Sequence, residues 1–354
     1  SGIVLSLCFG SRFVSFSVVA NTLLGKETAS LEAKVVLARV PRTIFGILAG
    51  GALGISGTLM QSVTRNPVAD PSILGINTGA SLFVVVGIAY LHISSANQYI
   101  WLAILGALLT TLLVYGIASL GKEGATPLKL ALSGSAVAIT LGSFVSTIMF
   151  PNDAVMQNFR FWTVGSIGRA TTESVRLIFP FIAVGFLLSV CLAPSLNALA
   201  LGDEAASALG VNVKFVRSAA TAASALLCGA TTALAGPIGF VGLMVPHLIR
   251  LFLGSEMRLM MPFSFLGSSA LLLVSDVIGR LIGSPGETEV GIVTADLIRI
   301  VAEREPRIPE PWRPLPSIDP QLLALAGPWY WGPNPYVLRP AADGYLELSA
   351  LRGG

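Results

Sequence analysis

The chain has 354 residues, of which 53% are hydrophobic and only 12% charged, about half the ~25% typical of soluble proteins. With a mean hydropathy of +0.77, this composition excludes a disordered chain and an ordinary soluble enzyme, because too little charge is available to cover a water-facing surface. The net charge of +3 excludes the strongly basic footprint of a nucleic-acid binder, and the medium that fits is a bilayer.

Two histidines are too few for a His-based metal centre, and Cys8, Cys191 and Cys228 lie far apart. They predict buried apolar thiols, with no metal site and no cofactor. Charge is unevenly spread: residues 296–354 hold 13 of the 41 charged residues. The expected organisation is therefore a membrane body over 1–295, a Pro- and charge-rich linker over 296–320, and a short β-like fragment, non-native or fused, over 321–354.

A spanning helix needs ~20 apolar residues. Ser1–Gly10 is half a span without a basic flank, read as the end of a first helix and not as a signal peptide. Full spans are predicted near 44–63, 73–93, 99–120, 128–150, 174–195, 216–235, 237–254 and 261–283. Small residues are dense at Leu48–Gly57 (LAGGALGISG) and Gly267–Ala270 (GSSA), which lets helices approach closely in lipid.

Between the spans the polar residues are few and placed. Arg39 and Arg42 flank Pro41 ahead of the second span, where the helix dipole disfavours cations; interfacial snorkelling or recognition of a partner would justify them. Asn66-Pro67 and Asp70-Pro71 break the next connection, with Arg65 and Asp70 either paired or facing a partner. Residues 157–167 (QNFRFWTVGSI) bring Phe159 and Trp162 to an interface, with Gly165 and Ser166 permitting a bend. Leu201–Arg217 predicts a short helix outside lipid: Gly202 starts a turn, Asp203 and Glu204 suit a first turn, Ala205 and Ala206 propagate, and Gly210 caps. Gly236-Pro237 breaks another helix, and His247 reads as a packed residue. Asp276 and Arg280 share a helix face at i, i+4; a carboxylate within a span needs a partner or a cavity.

Orientation by charge is indecisive. With the start of the second span outside, nine basic residues lie outside and seven inside, against the positive-inside rule. Catalytic motifs are lacking: there is no GxxxxGK[ST], HExxH or GxSxG, so no catalytic residue is assigned and the chain is not expected to be an enzyme.

Four segments go beyond generic hydropathy: Ala38–Ala80, with ARVPRT, GALGISGTLMQ and RNPVADPSILGINTGA; Ala200–Arg217, with ALGDEAASALGVNVKFVR; Ala233–Arg250, with ALAGPIGFVGLMVPHLIR; and Ser275–Ala295, with SDVIGRLIGSPGETEVGIVTA. In this order and spacing, residues 1–295 closely resemble the FecCD/BtuC-type permeases, the membrane subunits of ABC importers for ferric siderophores, haem and cobalamin. The resemblance implies an all-α polytopic bundle of ten helices, the first partial here, in a bacterial cytoplasmic membrane. It implies a homo- or heterodimer with a second permease subunit, two ATPase subunits on the cytoplasmic face, and an extracytoplasmic substrate-binding protein, with no nucleic acid. Carried over by position, Leu201, Gly202, Asp203, Glu204, Ala205, Ala206, Leu209 and Gly210 would couple to the ATPase. Arg39, Arg42 and Arg280 would dock the binding protein, in competition with an internal Asp276–Arg280 pair. Phe159, Trp162, Gly165 and Ser166 would shape the mouth of the translocation path. A ferric-siderophore importer is the leading expectation; the alternatives are a cobalamin or haem importer, or a non-transporting remnant.

The sequence also departs from that family. Glu289 stands where the family has proline before its last span. From Asp296 the chain reads DLIRIVAEREPRIPEPWRPLPSIDP, and six prolines and nine charges in 296–320 forbid a span, so the tenth helix is expected to be missing and the tail irregular. Tyr336–Arg339 and Tyr345–Leu348 are strand-like around an Asp343-Gly344 turn, in a segment too small to bury its own core.

Overall fold

The computed structural model of the chain describes residues 2–10, 13–91, 93, 96–120, 125–282, 288–304, 327–331, 334–340 and 346–350. Two units divide it, Ser1–Ile300 and Val301–Gly354. In chain order the helices are α1 (Gly2–Cys8), α2 (Phe16–Leu23), α3 (Leu31–Thr64), a 3-10 turn (Pro71–Leu74), α4 (Ile76–Tyr90), α5 (Ala96–Ala118), α6 (Pro127–Met149), α7 (Asp153–Thr163), α8 (Thr172–Ala200), α9 (Asp203–Ala208), α10 (Val213–Ala235), α11 (Val241–Leu253), α12 (Met257–Ile282) and α13 (Val290–Arg304).

α3 is the centre of the bundle. Its 34 residues make a rod of about 50 Å. The Ser30 hydroxyl opens it by accepting from Ala33 N at 3.1 Å, a side-chain cap for an otherwise unpaired donor. The rod packs against α8, α10, α11 and α12, with Phe45, Ile55, Leu59 and Met60 fully buried. Small residues set these approaches: a Cβ at Gly54 would meet Ser268 Oγ on α12 at 2.3 Å, and one at Gly57 the Gly242 carbonyl oxygen of α11 at 1.7 Å. Where lipid supplies no hydrophobic drive between helices, backbones this close supply the dispersion contacts that hold them.

Among the described residues, six helices are long and apolar enough to cross a membrane: α3, α5, α6, α8, α10 and α12. Two of the eight predicted spans are shorter. α4 has 15 residues and α11 has 13, about 20 Å each against a hydrocarbon core of ~30 Å. Apolar composition continued through their starts, but the backbone did not. The 3-10 turn ends on Gly75 at φ 69° before α4, and Gly236 and Phe240 take φ 78° and 66° before α11. In the other direction, α3 begins 13 residues before its predicted start at 44. Arg39 and Arg42 therefore lie in its third and fourth turns, clear of the unfavourable end of the dipole, which is confined to the first turn.

α13 continues to Arg304, across the boundary expected at 295/296. Asp296, Arg299, Glu303 and Arg304 bar this segment from lipid but not from helix, and the first proline is Pro306. In the second unit the described residues of the tail beyond α13 are extended. They form an antiparallel sheet of β1 (Gly327–Trp331), β2 (Asn334–Pro340) and β3 (Leu346–Ala350) in the order β1-β2-β3, with Trp329 opposite Tyr336 and Leu338 opposite Leu348. The two expected strands correspond to β2 and β3. β1 went unpredicted because its Gly327-Pro328 start reads as a break. Residues 305–320 of the expected linker and the Asp343-Gly344 turn lie outside the described residues.

Candidate functional site

Among the described residues, ion pairs that join different helices gather at the two ends of α3. At its C-terminal end Arg65 caps the helix in the left-handed conformation, φ 50°. Its guanidinium donates to the Leu199 carbonyl, the last turn of α8, at 2.8 and 3.1 Å, and to Asp203 Oδ1. Arg217, in the second turn of α10, donates to both oxygens of the same carboxylate at 3.2 Å. Asp203 thus ties α9 to α3 and α10, with the end of α8 held alongside. Asp70 does not take Arg65; its Oδ1 accepts from Ser72 N at 2.8 Å and caps the 3-10 turn.

α9 is the short helix expected outside lipid, with Asp203 and Glu204 in its first turn. Gly202 and Gly210 bound it at φ 117° and 81°, conformations that glycine enters without strain. Ala206 is fully buried, whereas Leu201 and Leu209 are 69% and 64% exposed. Two large apolar side chains are thus held out on either side of a one-and-a-half-turn helix that Ala206 anchors, forming a small knob. Ala205 is half-buried between them.

At the other end of α3, Arg42 reaches across to Asp276 on α12 through Nε at 3.0 Å and Nη2 at 2.6 Å. Arg280, one turn beyond Asp276, donates to its Oδ2 at 2.9 Å. Asp276 is 1% exposed, so this carboxylate sits in low dielectric and depends on both guanidinium groups. Arg280 also donates to the Ser6 carbonyl at 3.2 Å, and Arg39 to the carbonyls of Leu7 and Cys8 at 2.8 and 3.2 Å. The open carbonyls at the end of α1 are thereby satisfied by cations, the sign that the dipole favours there. The predicted Asp276–Arg280 pair is present, but it is half of an assembly that joins α1, α3 and α12. Arg39 and Arg280 are buried, and Arg42 is the most open of the three expected docking residues.

The four residues expected at the mouth of a path are packed inside the chain. Phe159 and Trp162 stack at 5.7 Å and are buried. Ser166 N donates to the Ala235 carbonyl at 2.7 Å, and the Gly165 carbonyl accepts from Gly291 N at 3.1 Å. This segment joins α7 to the ends of α10 and α13. A different face is open: on α6, Leu132, Ala136, Thr140, Ser143 and Thr147 lie on one side and are exposed. The three hydroxyls donate to carbonyls four residues back at 2.8 to 3.0 Å. Sequence reading missed this stripe and the role of Arg217. A hydroxyl at every turn of 140–147 was the available signal for the first; nothing local marked the second.

Comparison with known proteins follows the same division. A family model described as the FecCD transport family matches residues 1–301, and one described as a domain of unknown function (DUF7586) matches residues 318–354. The chain is 40% identical over 292 residues to the ferric enterobactin transport system permease protein FepD of Escherichia coli (strain K12), covering 82% of this chain and 87% of that one. It is 40% identical over 294 residues to the Fe(3+)-citrate import system permease protein YfmD of Bacillus subtilis (strain 168), covering 83% and 87%. A solved metal-chelate type ABC transporter in an inward-facing conformation superposes with a TM-score of 0.74 at 25% identity, covering 86% of this chain and 95% of that one.

Proposed function

Since the chain belongs to the FecCD transport family, we propose that it is the membrane-spanning permease subunit of an ATP-driven importer of ferric siderophores in a bacterial cytoplasmic membrane. The observation that carries this reading is the knob formed by α9 with Leu201 and Leu209, tied by Asp203 to α3 and α10. A permease without a nucleotide site needs a surface through which a separate ATPase moves it, and a short helix fixed rigidly to two spans transmits displacement without absorbing it. Leu201, Gly202, Asp203, Glu204, Ala205, Ala206, Leu209 and Gly210 constitute that surface.

An extracytoplasmic binding protein docks at the opposite end. There Arg42, paired with Asp276 and the most open of the three, with Arg39 and Arg280 within, supplies the positive field that attracts an acidic partner. Two copies, or this chain and a related permease, enclose the path between them. The hydroxyl stripe of α6 supports that placement, because a polar face is better spent on water or a partner than on lipid. Residues 305–354 stand outside the transport machinery. The decisive experiment reconstitutes the chain with its ATPase and binding-protein partners in nanodiscs and measures ATP hydrolysis. Siderophore-loaded binding protein should stimulate it, and Leu201→Asp with Leu209→Asp should release the ATPase; an ATPase still bound to that variant refutes the reading.

A further inference from the structure

The Arg65–Asp203 contact is 38% and 49% exposed at its two side chains. Ion pairs this open add little to stability, so the contact calls for an explanation other than holding the fold. Its geometry supplies one. Arg65 is the C-cap residue of α3, held in the left-handed conformation, and its guanidinium spans two acceptors on different elements: the Leu199 carbonyl where α8 ends and the Asp203 carboxylate where α9 begins. A guanidinium can do this because its donors lie in one rigid plane. The turn that leads from α8 into α9 is thereby clipped to the end of α3.

The other end of the same helix carries Arg42, paired with Asp276 on α12. Between the two arginines α3 runs 23 residues, about 35 Å. Along the way it lies in backbone contact with α12 and α11, where Gly54 and Gly57 leave no room for even a methyl group. Interfaces packed this tightly shift as units instead of deforming. We propose that Arg65 is the positioning residue that mounts α9 on α3, and that α3 is the strut carrying displacement between α9 and the Arg42–Asp276–Arg280 assembly. This rests on α9 being the ATPase-coupling element.

The test uses the full chain in nanodiscs with its ATPase subunits and binding protein. The readouts are co-purification of the ATPase and stimulation of ATP hydrolysis by binding protein, a signal that must pass from one end of the bundle to the other. Arg65→Gln should lower the stimulation about tenfold, a typical coupling between sites, while the ATPase still co-purifies; Asp203→Asn, within the surface itself, should lower the stimulation as well. The double variant should lose less than the product of the two single losses, because the Arg65–Asp203 contact is common to both, while Arg65 also holds Leu199 and Asp203 also holds Arg217. Arg65→Lys keeps the charge but not the fork and should fall in between. Full stimulation in Arg65→Gln, or losses that multiply in the double variant, would overturn the proposal. Should Arg65→Gln fail to assemble, Arg65→Lys, which leaves Arg217 on Asp203, decides the question: full stimulation in it overturns the mounting role. Leu209→Asp separates the two readings. An ATPase that stays bound to it sinks the coupling role of α9 and the strut with it. An ATPase released by it, alongside normal stimulation in Arg65→Gln, sinks only the mounting role.

Discussion

Arg42 and Asp276, 234 positions apart in the sequence, form a two-donor ion pair at 2.6 and 3.0 Å with the carboxylate almost wholly removed from solvent. The pair fixes the rotation of α3 against α12 at one end of the bundle, and Arg280 closes it from below. Its value lies in geometry, since desolvation of such groups offsets most of their attraction.

Removing one member of that assembly is costly because the others stay buried without a counter-charge. Asp276→Asn should destabilise the bundle by about 3–5 kcal/mol, read as a lowered Tm in detergent. Asp276→Glu, which keeps the charge on a longer stem, should lose less. A melting temperature unchanged by Asp276→Asn would mean that water reaches the site.

Packing along α3 gives a sharper test. Gly57→Ala places a methyl group inside the Gly242 carbonyl, so the helices must separate, and overpacking of this kind costs about 1–3 kcal/mol. Gly116→Ala, where nothing lies within 4 Å of an added Cβ, should be neutral or slightly stabilising, as helix propensity requires. Equal thermal shifts in the two variants would contradict the close approach of α3 and α11.

Docking through Arg42 predicts a salt signature. Arg42→Gln should weaken binding-protein association and flatten its dependence on ionic strength, because one interfacial charge is lost while Asp276 keeps Arg280. Affinity measured at low and high salt checks this. An unchanged salt slope would assign Arg42 to the internal pair alone.

The α6 stripe predicts that added bulk on its exposed face matters where a volume-conserving change on that face does not. Ser143→Phe fills the exposed hydroxyl face and should reduce substrate uptake without altering ATPase co-purification. Ile139→Leu conserves volume on the same helix and should leave uptake near wild type. If Ser143→Phe transports normally, that face meets lipid and the path lies elsewhere.

Much of this molecule is decided by local composition. Charge scarcity forces the chain into lipid. Six of the eight apolar runs are helices of spanning length. The acidic start and bounding glycines of α9 dictate a short helix outside the apolar core, since caps and dipoles act within a single turn. The i, i+4 spacing of Asp276 and Arg280 was likewise sufficient for their pairing. Tertiary structure decided what no window of sequence contains. Arg65 pairs with Asp203 and not with nearby Asp70, and Arg42 reaches Asp276 only because α3 begins 13 residues before its apolar run and lies along α12 at glycine distance. Hydropathy sees where a segment is stable in lipid, whereas backbone geometry decides where a helix starts. The partner of a long cation depends on which helices meet, a relation between segments that each sequence window leaves open.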